Sequence, residues 1–204
     1  TVDIQSERIK ALNQKPVQAK SYVLYWMQNA QRTEVNHALE YAIVQANTLN
    51  KPLVVAFALM DNFPEANLRH YWFMLEGLQD VEKQLAERKI QFILEYGQSV
   101  DVVTRLAEEA CLVVTDRGYL RILKSWREDL AAKLECSFMQ IETDVVIPLE
   151  VVSNHAEFAA RTIRPKITKQ LEKYLVPLKE IPIKQHSLGL LRQGLDLKDI
   201  SKLI

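Results

Sequence analysis

The chain has 204 residues, which is enough for one substantial domain of about 100–200 residues and a short appendage. It carries 26 basic and 26 acidic residues, and this zero formal charge argues against a nonspecific nucleic-acid binder. The first twenty residues lack the apolar core of a signal peptide, and no run approaches the roughly 18 apolar residues of a membrane span. We therefore expect a cytoplasmic protein without membrane contact.

Five apolar runs predict β-strands, and in chain order they cover residues 22–27, 52–59, 90–96, 111–116 and 136–142. Two of them are nearly continuous apolar runs, as is typical of parallel strands that are covered on both faces. Between the strands, apolar residues recur at helical spacing over residues 35–49, 68–85, 100–110 and 120–134. This alternation predicts an α/β fold, with a doubly wound, Rossmann-like sheet of five parallel strands and helices on both faces.

After residue 147 the pattern changes, because four prolines interrupt it: Pro148, Pro165, Pro177 and Pro182. We expect short helical pieces and extended links there. The predicted organisation is an N-terminal extension (1–20), an α/β domain (21–147), and a linker with a C-terminal helical tail (148–204). The tail, "SLGLLRQGLDLKDISKLI", is amphipathic and suited to packing on the α/β domain.

The cysteine content favours a reducing compartment. Cys111 and Cys136 each open a predicted strand, which fits buried thiols better than a disulfide or a metal site. We predict that both are reduced and buried, at the end of the sheet opposite the ligand crevice.

In an open parallel sheet the ligand crevice lies outside the carboxyl ends of the strands. The turn after the first strand, "MQNAQRTEVN", contains no glycine, so it cannot form either of the common glycine-rich phosphate turns and must meet a ligand with side chains. The strand-end turns supply polar groups and apolar surface for a flat, polar-edged aromatic molecule; those considered are Met27, Arg32, Asn36, Asp61, Phe63, Asp116, Arg117, Tyr119 and Glu142. Purely structural roles are equally open: Thr33 as a helix N-cap, and Asp116 with Arg117 as a solvated ion-pair turn.

Conventional catalytic motifs are missing from the sequence. The four histidines are scattered, and neither a His-x-x-x-His pair nor a Gly-x-Ser-x-Gly elbow occurs, so zinc hydrolases and α/β-hydrolases have no support. We predict no catalytic residue and no metal site in this chain. Trp26, Trp72 and Trp126 are predicted to pack in the core rather than to relay electrons.

Four blocks carry a more specific signal: "YWMQNAQRTEVNHAL", "FPEANLRHYWFMLEGL", "VTDRGYLRILKSWR" and "AEFAARTIRPKI". In this order and spacing they closely resemble the N-terminal half of class II cyclobutane-pyrimidine-dimer photolyases, from about residue 21 to residue 174. The resemblance implies membership of the photolyase–cryptochrome superfamily, and a five-stranded parallel α/β domain whose strand-end pocket can hold an antenna chromophore.

The resemblance also implies which side chains would face the chromophore. The turn 27–32 becomes one wall of the pocket, where Asn29 and Arg32 hydrogen-bond the ring edges and Met27 packs against the ring plane. Asp61, Phe63 and Asp116 are added as further contacts. The expected chromophore is 8-hydroxy-5-deazaflavin, in preference to a flavin or a folate.

In the family, a helical domain that follows binds FAD and takes up the pyrimidine dimer. This chain ends at Ile204, where that domain would begin, so we expect the chain alone not to repair DNA and to meet DNA only through a helical FAD-binding domain or protein. Two alternatives remain: a nucleotide-binding module of the universal-stress or electron-transfer-flavoprotein type, and a non-enzymatic interaction domain with a vestigial pocket.

Overall fold

The computed structural model describes residues 4–203 and contains a six-stranded sheet with the order β1-β6-β5-β2-β3-β4. The strands are β1 (Ile9–Ala11), β2 (Tyr22–Trp26), β3 (Leu53–Leu59), β4 (Gln91–Tyr96), β5 (Ala110–Asp116) and β6 (Ser137–Ile141). Strands β2 to β6 are parallel, which confirms the predicted α/β fold.

The sheet has one strand more than the sequence predicted. β1 pairs antiparallel with β6, with Ile9 opposite Ile141. The prediction missed this strand because three residues, two of them well exposed, form no recognisable period-2 pattern.

The helices are α1 (His37–Leu49), α2 (Leu68–Glu87), α3 (Ser99–Leu106), α4 (Arg121–Lys133), α5 (Leu149–Val152), α6 (Ala160–Thr168) and α7 (Leu171–Tyr174). α1 and α2 pack on one face of the sheet, and α3 and α4 pack on the other. Successive side chains of a strand point to opposite faces of the sheet. In β2, Tyr25 packs in the core beneath α1 and α2, and its neighbours Leu24 and Trp26 pack in the core beneath α3 and α4. Every residue of β2, β3 and β5 is buried, as the continuous apolar runs indicated.

The chain order places the topological switch point beside β2. From β2 the chain moves outward through β3 to β4, then crosses over to β5 on the other side of β2. The strand-end turns near β2 are therefore the region where such sheets build their ligand crevice.

A C-terminal strap, defined here as residues 178–203, returns along α1, α2 and the edge strand β4. Ser187 accepts a hydrogen bond from the Gln91 backbone N–H at 2.7 Å, and the Leu195 N–H donates to the Leu94 carbonyl at 2.6 Å. The strap therefore pairs with backbone groups that an open edge strand would leave exposed. It also closes with a 3-10 turn, Leu197–Lys202, that packs on α2.

Two local predictions were wrong. Pro165 lies inside α6 rather than breaking the chain between pieces. Trp72 is 42% exposed on α2, where its Nε1 donates to Glu76 at 2.9 Å, so it does not pack in the core.

Both cysteines are free and buried, as predicted, and burial raises the pKa of each thiol.

Candidate functional site

The turn that follows β2 is held by a buried carboxylate at the end of β5. Asp116 accepts hydrogen bonds from the backbone N–H groups of Gln28, Asn29 and Ala30 at 2.7–3.0 Å, and from the Tyr25 hydroxyl at 3.1 Å. Burial raises the pKa of Asp116, while the three N–H donors oppose that rise by stabilising the ionised form. The Asp116 carboxylate therefore holds the backbone of this glycine-free loop in its conformation.

Asn36 secures the other end of the same turn. Its Oδ1 accepts from the Leu39 N–H at 3.0 Å and caps α1, which is a role that the sequence had offered to Thr33. Its Nδ2 donates to the Tyr25 hydroxyl and to the carbonyls of Ala30 and Arg32. Asn36 is fully buried. Asp116 at one end and Asn36 at the other therefore hold the turn between β2 and α1.

A pocket of about 210 Å³ opens beside this turn, at the carboxyl ends of β2 and β3. α2 and α4 reach it from the two helical layers, and the start of α3 contributes Ser99. The loop after β3 contacts α4 across the pocket, with the rings of Phe63 and Trp126 edge to face at 6.1 Å. The lining is mostly aromatic and aliphatic with a few polar groups: Trp26, Met27, Gln28, Asn29, Gln31, Phe57, Ala58, Met60, Phe63, Ala66, His70, Tyr71, Met74, Ser99, Leu120, Leu123 and Trp126. Such a lining suits a planar organic ring better than a phosphate group.

One polar side chain in this lining has an unused donor. Gln28 is 8% exposed, and its Oε1 faces the guanidinium of Arg127 at 3.3 Å and the hydroxyl of Thr115 at 3.4 Å. Its Nε2 is buried and has no hydrogen-bond partner among residues 4–203. Arg127 is itself buried and also donates to the Gly118 carbonyl at 2.7 Å, so it is fixed in place from both sides.

Three of the six predicted contact residues come together in this pocket. Met27, Asn29 and Phe63 all line it, and Met27 is completely buried. Asn29 also donates from its Nδ2 to Asp144, which turns that amide partly away from the pocket. Their role as chromophore contacts stays a prediction.

The other three predicted residues lie at the same end of the sheet but outside the pocket lining. Arg32 forms an ion pair with Asp144 at 2.7 Å and donates to the Thr143 carbonyl at 3.1 Å. Asp61 accepts from the Tyr96 hydroxyl at 2.6 Å. Asp116 is buried beneath the turn, as described above. In each case the side chain is hydrogen-bonded to a group of another strand or strand-end loop, and the position of the residue at the end of its own strand did not reveal that partner.

The expected ion-pair turn of Asp116 and Arg117 is also absent from the described part of the chain. Arg117 pairs instead with Glu142 at 3.1 Å and with Glu150 at 3.0 Å, which ties the end of β5 to the end of β6 and to α5. The Tyr119 hydroxyl donates to Glu142 at 2.8 Å, and burial together with this carboxylate raises the pKa of Tyr119.

Sequence reasoning missed several pocket residues. Gln28 stood next to the predicted Met27 but carried no motif, and Tyr71, Met74 and Trp126 belonged to apolar helix stripes that indicated core packing. The signal that distinguishes them is their position in the first half of their helices, since those turns lie nearest to the strand ends.

The turn after β5 does not form a phosphate cradle. A side chain at its one glycine, Gly118, would collide with Leu123 of α4. The glycine is therefore explained by the close packing of this turn against α4.

Within residues 4–203 no group of three or more His, Cys, Asp or Glu side chains is placed to hold a metal ion. In the same part of the chain, none of the helices has both the length and the hydropathy needed to cross a membrane.

The chain is similar to a family model and to proteins that are described as photolyases. A family model described as DNA photolyase matches residues 23–183. A deoxyribodipyrimidine photo-lyase of Methanothermobacter thermautotrophicus is 46% identical over 188 residues, covering 92% of this chain and 42% of that protein. One from Arabidopsis thaliana is 33% identical over 204 residues, covering 96% of this chain and 41% of that protein. The chain thus spans about two fifths of the length of these relatives.

Two solved structures share the fold. The archaeal photolyase of Sulfolobus tokodaii, described with two FAD molecules, gives a TM-score of 0.59 at 16% identity, covering 80% of this chain and 37% of that one. A bacterial class III photolyase from Agrobacterium tumefaciens gives a TM-score of 0.65 at 15% identity, covering 88% of this chain and 38% of that one. Because the family model matches well over half of the sequence, the protein belongs to the DNA photolyase family, in which it corresponds to the N-terminal α/β domain.

Proposed function

We propose that this chain is the antenna-binding domain of a class II photolyase and that it holds a planar chromophore in the strand-end pocket. The observation that carries the proposal is the pocket itself, in which Met27, Phe63, Tyr71 and Trp126 present apolar and aromatic surface beside the polar turn 28–31. Such a lining favours the binding of a light-absorbing ring, because the faces of the ring are apolar and its edges are polar.

The class II assignment is supported by sequence rather than by fold. Three of the four blocks that resemble class II enzymes contribute residues to the pocket lining, and the fourth, at residues 156–167, lies in and just before α6. The class III structure is 15% identical to the chain, so the likeness to it shows the fold and does not assign a class.

The antenna role is supported by a structural neighbour. The Sulfolobus tokodaii structure is described as implying a novel light-harvesting cofactor, and that protein shares the α/β fold. For this chain we propose 8-hydroxy-5-deazaflavin, in preference to a flavin or a folate, as the chromophore expected from the sequence resemblance; its polar-edged ring fits a pocket whose turn offers side chains in place of glycines. The ring when bound would absorb light, and the residues of the pocket would bind it and exclude water.

We further propose that repair takes place elsewhere in the assembled enzyme. A helical domain or protein would hold FAD and the damaged DNA, and this chain would reach DNA only through it. The zero formal charge of the chain gives little nonspecific attraction to phosphates, which supports that division of labour. A cytoplasmic location agrees with two free, buried cysteines.

The test is a fluorescence titration of the purified chain with 8-hydroxy-5-deazaflavin, in parallel with two substitutions. Ala66 lines the pocket, so Ala66→Trp fills it; Ala132 is exposed on α4, so Ala132→Trp is the matched control. We expect saturable binding to the unsubstituted chain and to the control, and at least tenfold weaker binding to Ala66→Trp. Equal binding to all three would overturn the placement of the chromophore, and no saturable binding to the unsubstituted chain would overturn the antenna role.

A further inference from the structure

The pocket lining contains a buried side-chain donor that has no partner among residues 4–203. Gln28 lies in the first part of the turn that Asp116 holds, so its backbone is fixed by the N–H bond to that carboxylate at 2.8 Å. Its side chain is more than nine-tenths buried and forms part of the pocket lining. The backbone of Gln28 is therefore held in place without a ligand.

The orientation of the Gln28 amide follows from its neighbours. A guanidinium group has donors only, so the atom that faces Arg127 at 3.3 Å must be the amide oxygen. The single hydrogen of the Thr115 hydroxyl goes to the Trp26 carbonyl at 2.9 Å, so its approach to the Gln28 amide at 3.4 Å leaves the orientation to Arg127. The amide nitrogen is consequently the atom left over, and it has no acceptor among residues 4–203.

An unsatisfied buried donor is costly, typically by about 1–3 kcal/mol. Protein interiors seldom leave such a group without a reason. No backbone carbonyl among residues 4–203 accepts from it, and because the atom is buried, an acceptor in the pocket meets it when the amide turns about its terminal torsion. A ligand that places an acceptor next to Nε2 would remove this cost, and a ligand without an acceptor would leave it in place.

We propose that Gln28 is a specificity-determining residue, and that its Nε2 donates to a carbonyl or ring-nitrogen acceptor on the edge of a planar heterocycle bound in the pocket. This inference rests on the proposed function, because it takes the pocket to be a ring site. It adds the chemical class of the ligand edge: the occupant is an acceptor-bearing heterocycle, such as the pyrimidinedione side of a deazaflavin or flavin, and not a bare aromatic hydrocarbon. A site that is built to donate to a ligand discriminates strongly against analogues that lack the acceptor.

The test compares two tricyclic probes, 8-hydroxy-5-deazaflavin and anthracene, by fluorescence anisotropy. The first carries acceptors on its edges and the second has none. Gln28→Met keeps the length of the side chain but removes the donor, and Gln28→Glu keeps the shape but replaces the donor with an acceptor. Gln193→Met, an exposed glutamine on the strap, is the matched control. Thermal unfolding of each variant establishes that it is folded.

We expect Gln28→Met to bind the deazaflavin about 5- to 20-fold more weakly than the unsubstituted chain, which corresponds to about 1–2 kcal/mol. Its affinity for anthracene should stay within twofold. Gln28→Glu should lose more deazaflavin affinity than Gln28→Met, because it places an acceptor where the donor stood. It should remain folded, because its carboxylate is positioned to pair with Arg127.

The outcomes separate the two proposals. If the unsubstituted chain binds the deazaflavin saturably and Gln28→Met binds it equally well, the role of Gln28 is wrong and the ring pocket stands. If anthracene affinity falls as much as deazaflavin affinity, the substitution has disturbed the pocket shape, and the specificity claim is also wrong. If neither probe binds the unsubstituted chain, the ring pocket fails and this inference fails with it.

Discussion

Asp116 illustrates how a residue at a strand end can serve the site without lining it. Its carboxylate accepts from three consecutive backbone N–H groups and from the Tyr25 hydroxyl, so Asp116→Ala leaves three buried donors, of Tyr25, Gln28 and Ala30, and the part-buried N–H of Asn29 without this acceptor. We expect the free energy of unfolding to fall by about 3–5 kcal/mol, measured by urea denaturation. Asp61→Ala, which removes an exposed carboxylate bonded to Tyr96, should cost less than about 1 kcal/mol. Similar losses for the two variants would contradict this assignment.

His37 makes stability depend on pH. Burial and the nearby charges of Arg8 and Arg32 lower its pKa from 6.5 to about 4. Between those values the unfolded chain binds a proton at this site and the native chain does not, so stability is lost as the pH falls from about 6.5 to about 4. Allowing for partial solvent screening, the loss is about 1–2 kcal/mol.

The measurement for His37 is the unfolding midpoint at pH 7 and at pH 5, in the unsubstituted chain and in His37→Gln. The backbone N–H of residue 37, which donates to Thr143 at 2.7 Å, is retained in the variant. We expect a smaller decrease in the variant over this interval. The same decrease in both proteins would show that other groups cause the pH dependence.

At the scale of elements, the strap depends on one close approach to the edge strand. A side chain at Gly194 would collide with the backbone of Leu94, so Gly194→Ala should push the strap away from β4. We expect a loss of about 1–3 kcal/mol and faster proteolysis within residues 178–203. Gly77 in α2 has open space around it, so Gly77→Ala should be neutral or stabilising by up to about 1 kcal/mol. Equal proteolysis of the two variants would mean that the strap is held by other contacts.

The two thiols lie at the opposite end of the sheet from the pocket. Leu112 pairs with Ser137, which places the preceding residues Cys111 and Cys136 beside each other near the amino ends of β5 and β6. The double change to Ala should lower stability by about 1–3 kcal/mol, because it leaves small cavities, and should leave chromophore affinity unchanged. A calorimetric scan and the deazaflavin titration check the two parts. Lost affinity in a folded double variant would count against the location of the site.

For the whole molecule, the sequence was sufficient for the five parallel strands, but not for the antiparallel β1, the strand order or the site. Continuous apolar runs and helical stripes determine where those five strands and the helices between them lie. The partners of Arg32, Asp61 and Asp116 come from other strands and loops at distances in sequence of 35 to 112 residues, and no local pattern encodes them. Gln28 was overlooked for the same reason, since its burial depends on Arg127, far along the chain.

A crystal structure of the chain with 8-hydroxy-5-deazaflavin would show whether a planar chromophore binds in the strand-end pocket. We expect a ring between Met27 and Trp126, with an acceptor atom within hydrogen-bond distance of the Gln28 Nε2. A ring bound at another surface, with the strand-end pocket filled by its own side chains, would rule out chromophore binding in this pocket.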